Sequence, residues 1–369
     1  MRNDQLSAFL SERVAATDFP SAVYLIAQGD ETVFSDAIGL SVAEPYRITS
    51  STNTIYDLAS LTKPLITGLL CSRWIELGEL TLDSSVSHYL PEFERTDKQM
   101  ITVRELLTHT SGLPAWRPLY LLADNEPERA LGVIANLPLD YKPGTKVVYS
   151  DLGFIALGFL IERLSHKRLA EVATAEIISK LSLEHTFFNP EAALQTGIAA
   201  CETGNAYERD MCEQAGDGEY KHLRRSLIWG DVHDGNAYFL GGAAGHAGLF
   251  STAAETFLLA QQFLPTRSSL LKEETCQLFR INMTPGLEES RTIAWQLAQS
   301  PESTAGTNLP PDSFGHTGFT GTSCWIDPEH ERVFILLTNR THARTLPFAN
   351  INSVRRQFHS FAVKALDSR

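Results

Sequence analysis

Ala22-Val23-Tyr24-Leu25-Ile26-Ala27-Gln28, a turn at Gly29-Asp30, and then Thr32-Val33-Phe34-Ser35-Asp36-Ala37-Ile38 read as two β-strands. Aliphatic, β-branched and aromatic residues fill both runs, and the Gly-Asp between them is turn chemistry. A matching pair stands at the far end of the chain, Thr322 to Asp327 and Arg332 to Thr338, around Asp327-Pro328. Leu6, Phe9, Leu10 and Val14 recur at helical spacing before the first pair. Ile351, Val354, Phe358 and Phe361 do so after the second. The economical arrangement is one antiparallel sheet built from both termini, with the two terminal helices on one face. That is an α/β fold of the α+β kind.

Between these ends the pattern changes. Pro64 to Leu77, Val103 to Leu107, Glu128 to Asn136, Leu152 to Leu164 and Ala170 to Leu181 read as helices separated by short loops. The expected organisation is a sheet domain from residues 1–63 and 237–369, with a mainly helical domain, 64–236, inserted between its halves. Residues 191–235 show little periodicity and read as a long irregular excursion.

Bulk properties narrow the function classes. The 369 residues are 43% apolar and 20% charged, an ordinary globular composition. The net charge of −13 argues against nucleic acid as a partner, because phosphate binding needs a positive footprint. The N-terminus shows no apolar leader, and the longest apolar run, Phe154 to Ile161, is too short to span a bilayer. Five scattered cysteines, an odd number, argue against a disulfide framework, and a reducing cytoplasm is the simplest setting.

Three short stretches carry the chemistry. Ser60-Leu61-Thr62-Lys63 places an amine one turn from a hydroxyl at an expected helix start, where the macrodipole and free N–H groups favour a developing negative charge. Ser269-Leu270-Leu271-Lys272 repeats the spacing, but in a polar stretch where Ser269 reads as a helix cap. Tyr149-Ser150-Asp151 offers a phenol; a neighbouring ammonium would lower its pKa and let it exchange a proton with Ser60. The bland alternative is a buried tyrosine before an Asp151 cap. His316-Thr317-Gly318 opens an expected edge strand, where Gly318 would let the backbone pass close to a ligand. The next amide, of Phe319, would join that of Ser60 as an oxyanion hole. Asp231, His233, Asp234 and His246 fit no zinc spacing, and Gly241 to Gly248 is no dinucleotide fingerprint; it reads as close backbone packing.

Taken together, these stretches resemble the serine β-lactamase-like hydrolases: class C β-lactamases, β-lactamase-like carboxylesterases, D-aminopeptidases and penicillin-binding carboxypeptidases. The likeness rests on Tyr56 to Lys63, Leu106 to Leu113, Tyr149 to Phe154, Gly245 to Thr252 and His316 to Thr322. It implies a β-lactamase/transpeptidase-like sheet domain and helical domain with the site between them. It implies Ser60 as nucleophile, Lys63 and Tyr149 as the proton-handling pair, and the Ser60 and Phe319 amides as oxyanion hole, and it implies no metal or cofactor. Asp151, His316, Thr317 and Gly318 are expected to bind substrate, and Arg344, just past the last strand, to add a cation. Many relatives carry Asn where this chain has Asp151, and many β-lactamases carry Lys where it has His316. A carboxylate cannot donate to a substrate amide, and a neutral imidazole holds a carboxylate less well than an ammonium. The expected activity is therefore acyl-enzyme cleavage of esters, small amides or peptides, with β-lactams as a slower class. The competing expectations are a penicillin-binding sensor that acylates without turnover and a structural relative with a dead site.

Overall fold

The computed structural model describes residues 1–215 and 224–369, so part of the 191–235 excursion lies outside the described residues. Its main sheet contains β1 (Ser21–Gln28), β2 (Glu31–Val42) and β3 (Ile48–Thr49) from the N-terminal end. A short pair of strands, β4 (Tyr56–Asp57) and β5 (Phe187–Phe188), flanks β6 (Leu249–Ser251) in a second, three-stranded sheet. The C-terminal end supplies β7 (Gln296–Leu297), β8 (Phe314–Thr317), β9 (Ser323–Asp327) and β10 (Arg332–Thr338). The seven-stranded order is β3-β2-β1-β10-β9-β8-β7, antiparallel throughout. The two ends of the chain meet at its centre, where Ala22 pairs with Thr338 and Gln28 with Arg332.

Alternation along β1 explains the layers. Ala22, Tyr24 and Ile26 face one way and pack with Phe334 and Leu336 against helices α1 (Asp4–Ala15) and, at the C-terminus, Asn352–Asp367. Val23, Leu25 and Ala27 face the other way and join the larger core, which includes Phe257 and Ala260 of the helix Ala253–Gln261 and most of the helical region. All five cysteines are free and buried. No helix among the described residues is long and apolar enough to cross a membrane.

Three local expectations change. His316 and Thr317 end β8 rather than open it, and β8 is an interior strand between β7 and β9. Ser269 caps nothing: its hydroxyl donates to Gln262 Oε1, and the following helix begins at Glu273. The helix after Tyr149 starts at Asp151, but its cap is Ser150, whose Oγ accepts from the Gly153 amide at 3.2 Å.

Candidate active site

Ser60 does not start an α-helix. It sits in a 3₁₀ turn, Ala59–Leu61, followed by a π-helical turn, Lys63–Gly68, and only then by α2 (Leu69–Leu77). Side chains three apart nearly eclipse in a 3₁₀ turn. That brings Lys63 Nζ to 3.0 Å from Ser60 Oγ. Ala59, just before the serine, holds φ +48°, a left-handed conformation that costs an alanine about 1 kcal/mol or more. Its amide donates to Asp57 Oδ1 at 2.8 Å, and Thr62 Oγ1 donates to its carbonyl at 2.7 Å, so neighbours fix the turn from both sides.

Glycines bring the other elements in close. A Cβ on Gly318 would lie 2.5 Å from the Leu58 carbonyl and 2.1 Å from Thr322 Oγ1. The close approach expected of Gly318 is thus to the nucleophile's own turn. Thr320 and Thr322 hydroxyls tie the same turn through the Asp57 and Leu58 carbonyls, at 2.8 and 3.0 Å. In the 241–248 segment a Cβ on Gly245 would lie 2.0 Å from the Phe154 carbonyl, which confirms the close packing there. That packing aims the His246 carbonyl at Lys63 Nζ, 3.1 Å away.

Lys63 is fully buried; its ammonium donates to Ser60 Oγ and the His246 carbonyl and is ion-paired with Asp151 Oδ1 at 2.7 Å, without a well-directed hydrogen bond to that oxygen. Burial works to depress its pKa, but the Asp151 carboxylate and Tyr149 outweigh burial and leave it raised. Tyr149 lies beside it, with Nζ 4.8 Å from the ring centroid. Lys63 and Ser60 both act on the Tyr149 hydroxyl, yet no well-directed hydrogen bond reaches this buried group. Its pKa is raised, not lowered: burial outweighs the ammonium, and the Asp151 charge adds to burial. The expected phenolate is therefore a phenol.

Two histidines back the tyrosine. His109 stacks at 4.5 Å between ring centroids and accepts the Ser150 amide on Nδ1, so its proton is on Nε2. His316, 5.7 Å away by centroids, donates Nδ1–H to the Thr317 carbonyl at 2.8 Å and keeps a bare Nε2. Burial first, then nearby Lys63 and Arg291, hold both far below the usual imidazole range. His316 is buried behind Tyr149 and does not line the cavity.

A cavity of about 610 Å3 opens over Ser60, Tyr149 and Asp151 and runs along Thr317, Gly318 and Phe319. Arg344 does not enter it; its guanidinium donates to the Thr17 and Ala343 carbonyls. The cations that do line it are Arg340 and Arg355, which the sequence reading missed. Arg355 is buried on the C-terminal helix and donates to the Gly318 and Thr322 carbonyls, at 2.7 and 3.0 Å, and to Asn352 Oδ1. Burial and the neighbouring Arg340 push its pKa down to about 9. Arg340 donates to the Phe319 and Ala349 carbonyls. Carboxylates line the cavity as well, Glu208 and Asp234 among them. Glu208 is pushed up to about 7 by burial and by the charge of Asp234.

Arg355 thus fixes the turn that carries the Phe319 amide. Arg355→Ala is expected to lower kcat for p-nitrophenyl acetate about 100-fold, the scale of losing one oxyanion donor, with little change in KM. That ester has no carboxylate, so the loss reads the turn alone; an unchanged kcat would show that the turn stands without its guanidinium.

A model of the Beta-lactamase family matches residues 6–354, and the chain belongs to that family. It is 31% identical over 372 residues to a putative D-alanyl-D-alanine carboxypeptidase of Escherichia coli K12, covering 93% of this chain and 83% of the relative. It is 32% identical over 358 residues to the N-acetylmuramyl-L-alanine amidase of Bacillus subtilis 168, covering 90% and 79%. Among solved structures, EstCE1, a hydrolase with promiscuous acyltransferase activity, superposes with a TM-score of 0.73 at 21% identity, covering 96% of this chain and 97% of that one. The octameric penicillin-binding protein homologue of Pyrococcus abyssi gives 0.73 at 19%, covering 98% and 77%. The protein is a hydrolase of the β-lactamase fold.

Proposed function

We propose that the protein cleaves small amides or esters that carry a free carboxylate, through an acyl-enzyme on Ser60. The observation that carries this reading is the 3.0 Å contact between Lys63 Nζ and Ser60 Oγ at the floor of an open cavity. Ser60 Oγ attacks the carbonyl, and the Ser60 and Phe319 amides receive the oxyanion. Tyr149, a phenol at rest, gives a proton to the leaving group. Water then releases the acyl group by the reverse route.

The two arginines support the carboxylate. Every hydrogen bond they make goes to a carbonyl or to Asn352, and Arg355 Nε is buried without a partner. Such cations, Arg355 buried and Arg340 half-buried, favour an anionic guest. The names of the Escherichia coli and Bacillus subtilis relatives point to amide bonds of peptide type, which fits. An ionised Asp151 offers no donor to a substrate amide carbonyl, which argues against efficient β-lactam turnover.

The test is covalent. Wild-type protein is treated with a fluorophosphonate, digested and mapped by mass spectrometry, and then assayed on D-alanyl dipeptides, their carboxamides and p-nitrophenyl acetate. One adduct on the Ser60 peptide, steady turnover, and a preference for free acids over carboxamides are expected. An adduct elsewhere would remove Ser60 from the role. A burst without turnover would make the protein an acylated sensor.

A further inference from the structure

We propose that Asp151 is the proton store for Lys63: when substrate fills the cavity, Lys63 passes a proton to Asp151 and becomes the neutral amine that deprotonates Ser60. This rests on the hydrolase reading above and assigns its base.

At rest the site holds no group ready to take the serine proton. Two hydrogen-bond acceptors and the Asp151 carboxylate engage Lys63 as an ammonium. Tyr149 is a phenol held neutral by burial. His109 uses its lone pair on the Ser150 amide. His316 has a bare Nε2, but it lies behind Tyr149, and burial, Lys63 and Arg291 oppose its protonation. Of the remaining charges, Arg291 lies 5.9 Å from the Tyr149 ring centroid and is paired with Glu289, and Asp234 feels Lys63 but is paired with His246 at 2.8 Å. Among the described residues, Asp151 is the one carboxylate in contact with the ammonium, 2.7 Å from it.

The pair is also placed to respond to substrate. Lys63 is fully buried, whereas the Asp151 side chain keeps 19% of its surface exposed and lines the cavity. While the cavity is empty, water reaches the exposed part of the Asp151 carboxylate, which stands in the first turn of its helix. A bound acyl group removes the water. Two opposite charges in contact then gain by becoming an amine and an acid, because neither neutral form needs the lost hydration.

The step balances. An N–H bond of the ammonium, turned to Asp151, breaks; its pair stays on Nζ, and the proton bonds to Oδ1. Rotation about Cε–Nζ, a fast motion, turns that lone pair toward Ser60. Nζ takes the Ser60 proton as the Oγ–C bond forms and the carbonyl pair moves to oxygen. That proton then leaves with the departing alkoxide or amine through Tyr149, and the pair returns to its starting tautomer. An Asn at 151 has no lone pair basic enough to take part.

The experiment is the pH dependence of kcat/KM for p-nitrophenyl acetate in wild type, Asp151→Asn and Asp151→Glu. Fluorophosphonate labelling of Ser60 and circular dichroism are run on each. The tautomer shift involves no net proton loss, so wild type should hold a plateau through neutral pH and fall only where the pair takes up a second proton. In Asp151→Asn the lysine must lose its proton to solvent. The acid limb should therefore move up by about one pH unit or more, with the rate at pH 7 down about tenfold or more. Asp151→Glu, which keeps a carboxylate, should leave the limb within about half a unit of wild type; should the Asn variant fail to fold, this arm decides, and a displaced limb overturns the proposal. An Asn limb that stays or moves down, with Ser60 still labelled, would overturn the store and make Asp151 a simple counter-ion while the hydrolase reading stands. Absence of label on wild-type Ser60 would defeat that reading, and the store with it.

Discussion

Ser60→Ala should abolish fluorophosphonate labelling and cut ester turnover by roughly 10⁵-fold, with the fold intact. The size follows from what remains. The cavity, the Phe319 amide and the Tyr149 phenol survive the change, and such binding and oxyanion elements alone retain roughly 10³–10⁴ of rate over water. The covalent route is lost, because the one other hydroxyl beside Lys63 is the Tyr149 phenol, which burial holds neutral and which is needed for the leaving group's proton. Stability should change little, by about 1 kcal/mol or less, since Lys63 keeps the His246 carbonyl and the Asp151 carboxylate and Ser60 Oγ is one ordinary partner. A variant that loses turnover but also unfolds would say that Ser60 holds the turn, not that it attacks. A variant that retains label would place the nucleophile elsewhere.

The main sheet was legible because its strands are long and their neighbours in space are the ends of the chain. β1, β9 and β10 begin and end within a residue or so of the runs read from sequence. The second sheet was not legible: Tyr56–Asp57, Phe187–Phe188 and Leu249–Ser251 are two or three residues long, too short for a period of two to register. The same brevity hid β7, and without β7 the strand holding His316 looked like an edge.

At the site, residue identity and spacing carried the hydroxyl, amine and phenol, and local conformation was what escaped. Nothing in Pro64 to Leu77 distinguishes a π turn from an α turn, because both repeat apolar positions at nearly the same interval. The direction of the Tyr149 shift depends on burial, which competes with a charge that proximity alone would have let win. Arg344 was chosen for standing after the last strand, and the chain turns the other way. A better signal was present: Arg355 lies on the buried face of its helix with Phe358, His359 and Ala362. A cation on an apolar face needs polar partners inside, and these partners are the carbonyls of the catalytic turn.

Lys63→Met should cost about 10⁴-fold in turnover and, unlike the serine variant, should also cost stability. Met fills the same space without a charge or a donor. It leaves the His246 carbonyl without its Lys63 partner and the Asp151 carboxylate facing an apolar thioether. Removing one partner of a fully buried ion pair costs about 3–5 kcal/mol. Asp151 is partly exposed and sits at a helix N-terminus, so about 2 kcal/mol is the expected loss here. The pH dependence gives the sign. Lys63 has its pKa raised above 10.5 by folding, so its contribution is complete below that value and disappears as pH rises through the folded-state pKa. The gap in thermal midpoint between wild type and Lys63→Met should therefore hold steady across neutral pH and close only in strong alkali. A gap that closes near pH 7 would mean that Lys63 is already neutral in the resting enzyme, and that the ammonium–carboxylate pair is not the ground state from which catalysis starts.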